Sequence, residues 1–492
     1  MKSISFKFQT FLSPKTGVRG KWTFRKRSSE TEKETFQIGS SSRMHMPYIV
    51  QDKDHVERYR YPIAENRDDR LIGIKDGEME LTFLGTASGV PSAARGVSSI
   101  ALTYLSNVYL IDCGEGTQQQ LQKSKIKTSK ISKVFVTHAH GDHSFGLPSL
   151  LCSIGAYDFS EDKVVDIYGP EGIRNFLRAA LSLSHSRVTV PHRIHEFKLV
   201  PDLHNRQNAY RTSVIGKMKI DYSPHFGEVL GGTDIQPDLL NNYKVTEDDE
   251  IEVVAAPLQH AIPCVGYVFK EKVRPGKLRF SFIEQFVESQ KDALVEQHPV
   301  LKTRGYKHIY SLLKEIKPNE TFTFPDGTSF TGAEITENRP PSRKVVVLGD
   351  TCNSDMITDA AMDCNVLVHE STNAFFPEDD FPRYRNYVEL EKETKFRGHS
   401  TPEMAGNFAA SINAKQLILT HFSPRYNGLP ERDAMEKMWK IERMARAGAN
   451  GKLRDYNDII AAWDFMSLPI PPIPNNGKPT FMTNTTTTDE EY

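Results

Sequence analysis

A run of metal-binding side chains at the end of a short apolar segment is the feature that most restricts how this chain can fold. Residues 133–137 read KVFVT, which is typical of a short buried strand, and HAHGDH follows directly at 138–143. Zinc is held in proteins by histidine nitrogens and carboxylate oxygens, and hydrolytic zinc sites leave one position open for water. The pattern therefore predicts a metal centre at the C-terminal end of a strand.

The spacing within this run indicates two ions. In an extended turn, residues i and i+2 point to the same side, so His138 and His140 can reach one ion. The chain bends at Gly141, and Asp142 and His143 can then reach a second ion.

One run cannot complete two metal shells, and further candidate ligands follow apolar, strand-like runs elsewhere in the chain. Each alone has a plainer explanation, because a single histidine or aspartate at a strand end is usually a hydrogen-bonded loop residue. Ligands at the C-terminal ends of strands nevertheless converge where sites form in α/β folds. These candidates are His260 in APLQHAIP, Asp350 in VVVLGDT, His399 in RGHST and His421 in LILTHFS.

The order of strand-like and helix-like segments predicts an α/β fold with sheets packed face to face and helices outside. Structure begins at MELTFLGT, residues 79–86. We expect a leader over 1–76 that is disordered or a transit peptide, a catalytic domain over 77–468, and a disordered tail over 469–492. Three segments resist the pattern and are interpreted as insertions in the domain, at about 201–249, 271–340 and 373–398.

Composition excludes several classes of protein. The formal net charge is −1, so attraction to nucleic acid must come from a local basic patch and not from the total field. The five cysteines are scattered without CxxC spacing, which argues against a disulfide framework and indicates a reducing compartment. No apolar run approaches the roughly 18–20 residues of a membrane span, so we expect no membrane.

The N-terminal segment suggests a location. The first 29 residues hold eight Lys or Arg and no acid, which fits a transit peptide for the mitochondrion or another organelle. A disordered basic tail fits the same composition, and the RKR at 25–27 could instead direct import into the nucleus. The alternative location is therefore the nucleus or cytosol.

The chain resembles the metallo-β-lactamase fold and, within it, the tRNase Z family of tRNA 3′-processing endoribonucleases, most of all its short form. DCGEGTQ together with HAHGDH is much more specific than HxHxDH, which the whole superfamily shares. The resemblance implies a four-layer αββα sandwich with an inserted flexible arm. It covers roughly residues 79–466 and rests on LTFLGTASGVPS, LIDCGEGTQQQL, FVTHAHGDHSFGLPSLL, IYGPEGI, LQHAIPCVGYVF, VVLGDT, VLVHEST, GHSTPEMAG and LTHFSPRY.

The resemblance also implies a role for each candidate residue. Two zinc ions per subunit are expected: His138, His140 and His260 would bind one, Asp142, His143 and His421 the other, and Asp350 would bridge them. Asp142 would also orient or deprotonate the attacking water, and Glu370 and His399 would form a proton-transfer pair. Ser423, Arg425 and Arg95 are the candidate substrate contacts; an arginine fork matches phosphate oxygens.

The implied activity is cleavage of the 3′ trailer from precursor tRNA, which leaves a 3′-hydroxyl on the tRNA and a 5′-phosphomonoester on the trailer. A homodimer is implied as well, with the arm of one subunit serving the site of the other. The alternative function is a hydrolase of the same fold that acts on a small phosphodiester, thioester or lactone. A non-catalytic scaffold is a third class, although the complete ligand set argues against it.

Three departures from the family pattern stand out. The loop that reads P-x-K-x-R-N in many members is PSAARG at 91–96 here, which leaves the handling of the acceptor end open. The arm lacks the usual Gly-Pro tip, yet residues 297–317 hold five Lys or Arg against one Glu, either as an RNA-binding patch or as a solvated helix face. The insertion at 373–398 could act as a lid or change the substrate.

Overall fold

The computed structural model describes most of the expected catalytic domain. The leader expected over 1–76 falls outside the described residues except for two short strands, as do 204–221 and the tail from 473 onward. Among the described residues, none of the helices combines the length and the apolar character needed to span a bilayer. The described residues are 48–51, 57–60, 78–157, 163–203, 222–248, 250–272, 277–317, 319–337, 342–429, 431–453, 455 and 458–472.

The strands, in chain order, are β1 Tyr48–Gln51, β2 Glu57–Arg60, β3 Met79–Gly85, β4 Ser99–Tyr104, β5 Asn107–Ile111, β6 Ile131–Phe135, β7 Val165–Pro170, β8 His192–Phe197, β9 Asp234–Ile235, β10 Tyr243–Glu247, β11 Ile251–Leu258, β12 Cys264–Glu271, β13 Thr321–Thr323, β14 Ser329–Thr331, β15 Lys344–Val347, β16 Val366–Glu370, β17 Leu417–Thr420, β18 Ile459–Ala461 and β19 Ser467–Pro469.

The α-helices are α1 Thr117–Lys123, α2 Gly141–Ser144, α3 Leu147–Tyr157, α4 Ile173–Leu183, α5 Phe280–Ser289, α6 Lys291–Gln297, α7 Pro299–Arg304, α8 Ile309–Glu315, α9 Gly332–Ile335, α10 Thr358–Ala361, α11 Pro377–Asp380, α12 Tyr387–Phe396, α13 Pro402–Ser411 and α14 Arg432–Gly448.

Two large mixed sheets form the centre of the fold. One has the strand order β19-β3-β4-β5-β6-β7-β8-β9, and the other has the order β10-β11-β12-β15-β16-β17-β18. Each sheet contains a run of parallel strands, from β5 to β8 and from β15 to β18. β11 has the same direction as β15, because both pair antiparallel with β12. Parallel strands end at the same edge of a sheet, so the residues that follow them are gathered there.

The two sheets pack face to face over an aromatic core. The ring of Phe135 on β6 lies 5.2 Å from that of Phe269 and 5.3 Å from that of Tyr267, both on β12. Alternate residues of β12 point to opposite faces. Tyr267 and Phe269 therefore join the core between the sheets, while Val268 packs in the core on the other face.

Helices cover both outer faces. Leu150 on α3 and Leu177 on α4 pack in the core outside the eight-stranded sheet. On the seven-stranded sheet, α13 and α14 approach so closely that a Cβ on Gly406 would lie 1.8 Å from the carbonyl oxygen of Ala445. The structure thus confirms the four-layer αββα sandwich predicted from the sequence.

The expected arm is inserted between two neighbouring strands of the seven-stranded sheet. β12 and β15 pair directly, with Tyr267 opposite Val347. The described residues between them form α5 to α9 and the β13–β14 hairpin around a separate hydrophobic core. That core consists of Ile283, Val287, Leu294, Leu301, Ile309, Leu313, Phe324 and Ile335.

The other two expected insertions are tied to the sandwich. In the described part of 201–249, β9 pairs with β8 and β10 pairs with β11, so each extends one sheet. In 373–398, α11 is joined to α14 by ion pairs of 2.5 Å between Lys437 and Asp379 and 3.1 Å between Lys440 and Glu378.

Candidate active site

The predicted metal ligands lie at one edge of the sandwich, where strands of both sheets end. His138 follows β6 of the eight-stranded sheet. His260, Asp350 and His421 follow β11, β15 and β17 of the other sheet, and Glu370 is the last residue of β16. The edge therefore collects side chains that are far apart in the sequence.

The first donor group contains three imidazoles. Nδ1 of His140 lies 3.0 Å from Nε2 of His138 and 3.2 Å from Nε2 of His260. Oδ2 of Asp350 lies 3.7 Å from Nε2 of His138 and 3.9 Å from Nε2 of His260. These four residues form a cluster that can hold one metal ion.

The second donor group contains two imidazoles and a carboxylate. Nε2 of His143 lies 3.2 Å from Nε2 of His421, and Oδ2 of Asp142 lies 3.4 Å from the latter nitrogen. The other oxygen of Asp350, Oδ1, lies 3.3 Å from Nε2 of His143 and 3.2 Å from Nε2 of His421. Asp350 thus directs one oxygen to each group.

These distances fit a pair of zinc ions. Two ligands that each lie about 2.1 Å from a tetrahedral zinc are about 3.4 Å apart. The pairs of donor atoms named for the two groups are 3.0 to 3.9 Å apart, which brackets that value. Five imidazoles and two carboxylates are ligands that suit zinc better than magnesium or calcium, which prefer all-oxygen shells.

The protein also fixes the orientation of four of the five imidazoles. In each of the four, Nδ1 lies within hydrogen-bond distance of another group, which leaves Nε2 directed at the metal position. Such partners set the tautomer and the ring orientation of metal-binding histidines. The pairs are His138 with Thr137 Oγ1 at 3.1 Å, His143 with Asp112 Oδ2 at 2.7 Å, His260 with the Gly398 carbonyl at 2.8 Å, and His421 with Thr372 Oγ1 at 2.9 Å.

The end of α12 contributes to both halves of the site. The amide of Gly398 donates to the carbonyl of Lys395 at 2.9 Å, and the amide of His399 donates to that of Thr394 at 3.0 Å. This is the hydrogen-bond pattern of a Schellman helix cap, in which Gly398 takes the left-handed position with φ of +85°. The Gly398 carbonyl is thereby aimed at His260, and His399 is placed immediately after the cap.

Burial keeps the imidazoles of the first group neutral. It lowers the pKa of His260 to about 4 and holds the pKa of His138 well below its usual range. Metal ions bind the neutral form of imidazole. Both side chains are therefore ready to bind a cation at neutral pH without first losing a proton.

The predicted proton-transfer pair lies beside Asp350. Nδ1 of His399 lies 3.2 Å from Oε1 of buried Glu370 and 3.7 Å from Oδ2 of Asp350. Burial opposes a charge on His399, but the two carboxylates outweigh it and raise its pKa to about 9. Glu370 is held in turn by the amide of Thr351, which donates to Oε1 at 2.7 Å. His399 is consequently protonated at neutral pH.

The three expected substrate contacts lie in different settings. Arg95 is only 2% exposed, and its guanidinium donates to Thr86 Oγ1 at 2.6 Å and to the carbonyl of Ala462 at 2.9 Å. The structure therefore does not bring Arg95 to the open face of the site, since these bonds hold it in the interior.

Ser423 and Arg425 lie on the segment just beyond His421. The amide of Ser423 donates to the carbonyl of Thr372 at 3.1 Å, which ties this segment to the loop after β16. Arg425 is exposed on one side and forms an ion pair with buried Asp380 of α11. Its guanidinium can therefore be reached by a ligand from the surface, although Asp380 of the 373–398 insertion already neutralises part of its charge.

Four residues that orient the site histidines are not among the sequence-predicted ones: Thr137, Asp112, Thr372 and Gly398. Asp112 follows β5, so the strand-end rule that selected Asp350 would also have selected it. Thr372 acts through a hydroxyl, and Gly398 acts through a main-chain carbonyl. Neither of these leaves a signal in residue type and spacing.

Comparison with known proteins agrees with this geometry. A family model described as "Anti-Pycsar protein Apyc1" matches residues 79–225. The chain is 34% identical over 401 residues to zinc phosphodiesterase ELAC protein 1 of Bos taurus, covering 80% of this chain and 99% of the relative. It is 32% identical over 396 residues to ribonuclease Z of Bacillus subtilis (strain 168), covering 80% and 99%.

Among solved structures, the short form of human tRNase Z is 28% identical and has a TM-score of 0.48, with 80% of this chain and 100% of that chain covered. The family assignment rests on the two curated relatives. Both exceed 30% identity, and both are aligned over nearly their whole length. The chain therefore belongs to the tRNase Z (ribonuclease Z) family of the metallo-β-lactamase superfamily.

Proposed function

We propose that this chain removes the 3′ trailer from precursor tRNA, cutting after the discriminator nucleotide and leaving a 3′-hydroxyl on the tRNA and a 5′-phosphate on the trailer. The enzyme is a zinc-dependent endoribonuclease. The observation that carries the proposal is Asp350, whose two oxygens face two separate groups of zinc-type ligands. A hydrolase of small molecules is not favoured, because curated relatives are named as ribonuclease Z and zinc phosphodiesterase.

His138, His140 and His260 would hold one zinc ion, Asp142, His143 and His421 would hold the other, and Asp350 directs one oxygen to each group. Zinc held there would neutralise phosphate charge and activate water for in-line attack. Asp142 orients that water in this proposal, and the amide of Gly89 donates to its Oδ2 at 2.7 Å. This bond fixes the carboxylate at the start of the one-turn helix α2.

His399 supplies the proton that the reaction needs. Its raised pKa of about 9 keeps the imidazole charged at neutral pH, so it can protonate the 3′-oxygen that leaves with the tRNA body. Glu370 stabilises the imidazolium before transfer and positions its ring.

The arm provides a basic surface for the RNA. The net charge of −1 gives no overall attraction, so phosphate binding requires a local patch. Within 297–317 the cations are all exposed and outnumber the single acid, Glu315. They are Lys302, Arg304, Lys307, Lys314 and Lys317. The alternative interpretation of this patch is a solvated helix face. The salt dependence of tRNA binding distinguishes an RNA-binding patch from a solvated face.

Two further parts of the proposal concern assembly and location. A homodimer, in which the arm of one subunit serves the site of its partner, is consistent with an arm that has its own hydrophobic core. The basic, acid-free N-terminus supports import into the mitochondrion or another organelle, with the nucleus or cytosol as the alternative. Sedimentation of the purified protein and imaging of fusions with and without residues 1–76 test these two points.

The central test combines metal analysis with cleavage. Purified protein is assayed for zinc, for cutting of a 3′-extended tRNA, and for hydrolysis of a small chromogenic phosphodiester. We expect two zinc ions per chain and one cut after the discriminator nucleotide. Turnover of the small diester without cutting of tRNA would support the small-molecule hydrolase instead. Bound zinc without any turnover would identify a scaffold.

A further inference from the structure

A cavity of about 710 Å³ lies beside the metal centre, and no step described above uses it. Its walls are the loop 91–96, helix α1, Phe145 and the segment 463–465. Pockets that bind small ligands have volumes of about 300–1,000 Å³. The cavity is therefore large enough for a nucleotide.

Two contacts attach the walls of this cavity to the metal-binding turn. Gly89, two residues before the loop 91–96, donates its amide to Asp142 at 2.7 Å. The Phe145 ring packs on Gly141, where an added Cβ would lie 2.5 Å from its Cε2 atom. A ligand in the cavity would thus be held at a fixed distance from Asp142.

The open wall of the cavity carries the chemistry that recognises an unpaired nucleotide. Phe145 is 60% exposed, and its ring is nearly parallel to that of Phe176, with centroids 6.0 Å apart. Exposed aromatic rings next to a nucleic-acid path stack on bases whatever their sequence. Gln119 and Lys123 are exposed, one turn apart on α1. An amide can pair with a base edge, and an ammonium can pair with a phosphate.

The polar side chains at the floor of the cavity are already hydrogen-bonded within the protein. Asp464 Oδ2 accepts from the amide of Gly96 at 2.6 Å and from Nε2 of Gln120 at 2.8 Å. Arg95 is held by bonds to Thr86 and Ala462. Recognition therefore falls to Phe145, Gln119 and Lys123, whose side chains stay at the open wall.

We propose that this cavity binds the first unpaired nucleotide of the 3′ trailer, with its base stacked on Phe145. The inference rests on the proposed function. His399, which protonates the oxygen of the departing tRNA body, lies beside the Asp350 oxygen that faces the first donor group. Two parts of the cavity wall, the loop 91–96 and Phe145, are attached to the turn that holds Asp142 of the second group. Because the tRNA body leaves toward His399, RNA on the Asp142 side of the cleaved phosphate is assigned to the trailer.

The test is a double-mutant cycle, in which the ring of Phe145 and the base of the first trailer nucleotide are removed singly and together. Three precursor tRNAs are compared: an unmodified one, one without the base of the first trailer nucleotide, and one without the base of the discriminator nucleotide. For the unaltered enzyme, loss of the trailer base is expected to lower kcat/KM about 5- to 150-fold. In Phe145→Ala, removal of the same base should have almost no further effect, because the ring on which it stacks is absent.

Two variants keep the result interpretable. Phe145→Leu preserves an apolar side chain on Gly141 without the ring, and its zinc content and melting temperature report on folding. Phe226→Ala removes another exposed phenylalanine, which is 66% exposed and lies next to the C-terminal end of α4. In this variant, removal of the trailer base should lower kcat/KM as much as it does in the unaltered enzyme.

An equal cost of trailer-base removal in the unaltered enzyme and in both Phe145 variants would overturn the proposal. Coupling of Phe145 to the discriminator base instead would overturn the assignment to the trailer. An enzyme that cuts none of the three RNAs would refute the proposed function itself, which is a separate result.

Discussion

Replacing Gly398 with alanine should weaken zinc binding as well as the fold. At φ of +85°, any residue with a Cβ is strained by about 1–2 kcal/mol. The new Cβ would also lie 2.8 Å from Nδ1 of His260 and 2.9 Å from the amide nitrogen of Ala261. The backbone must move away, which breaks the 2.8 Å bond that orients His260. Loss of such a partner typically lowers metal affinity about 10- to 100-fold.

Gly172 is the matched control because its left-handed backbone carries the strain without the collision. It is the N-cap of α4 at φ of +109° and ψ of −21°, and nothing lies within 4 Å of an added Cβ. Gly172→Ala should lose about the same 1–2 kcal/mol of stability while keeping full zinc affinity. The assay is urea unfolding of the metal-free proteins together with chelator competition for zinc. Equal zinc affinities in the two variants would refute the role assigned to the Gly398 carbonyl.

Three further variants separate the roles of the metal ligands, the proton donor and the arm. His140→Ala should abolish cleavage and lower zinc content, because Nδ1 of His140 lies 3.0 and 3.2 Å from the Nε2 atoms of the other two imidazoles in the first group. Full zinc content in this variant would contradict the assignment of His140 as a ligand. His399→Ala should slow cleavage about 100-fold or more while zinc stays bound, and loss of metal in that variant would argue against its role as the acid. Changing Lys302, Arg304 and Lys307 to glutamine should weaken tRNA binding and reduce its salt dependence while a small diester is hydrolysed as before; unchanged tRNA affinity would exclude this part of the arm.

The positions of the metal ligands could be predicted from the sequence because coordination chemistry restricts which residue types can bind zinc. Only a few residue types bind zinc, and a strand that ends at a site leaves an apolar run before them. Asp350 and His421 therefore stood out, and the structure brings both to the HAHGDH turn. The order of strand-like and helix-like segments likewise predicted the αββα sandwich, since strands such as β12 are apolar on both faces and therefore need a covering layer on each side.

Other features depend on contacts that residue type does not encode. The sequence suggested Arg95 as a substrate contact, but its partner Ala462 lies 367 residues away, and nothing local indicates that the side chain turns inward. Gly398 acts through its carbonyl, which every residue possesses. In the segment 201–249, β10 is short and polar on one face because it lies at a sheet edge, so its pattern was too weak to separate it from a loop.

Anomalous diffraction at the zinc absorption edge tests the two-metal centre most directly. Crystals of the zinc-bound protein should show two peaks, one among His138, His140 and His260 and the other among Asp142, His143 and His421. Each peak should lie about 2.0–2.2 Å from one oxygen of Asp350. A single peak, or two peaks of which only one touches Asp350, would contradict the account.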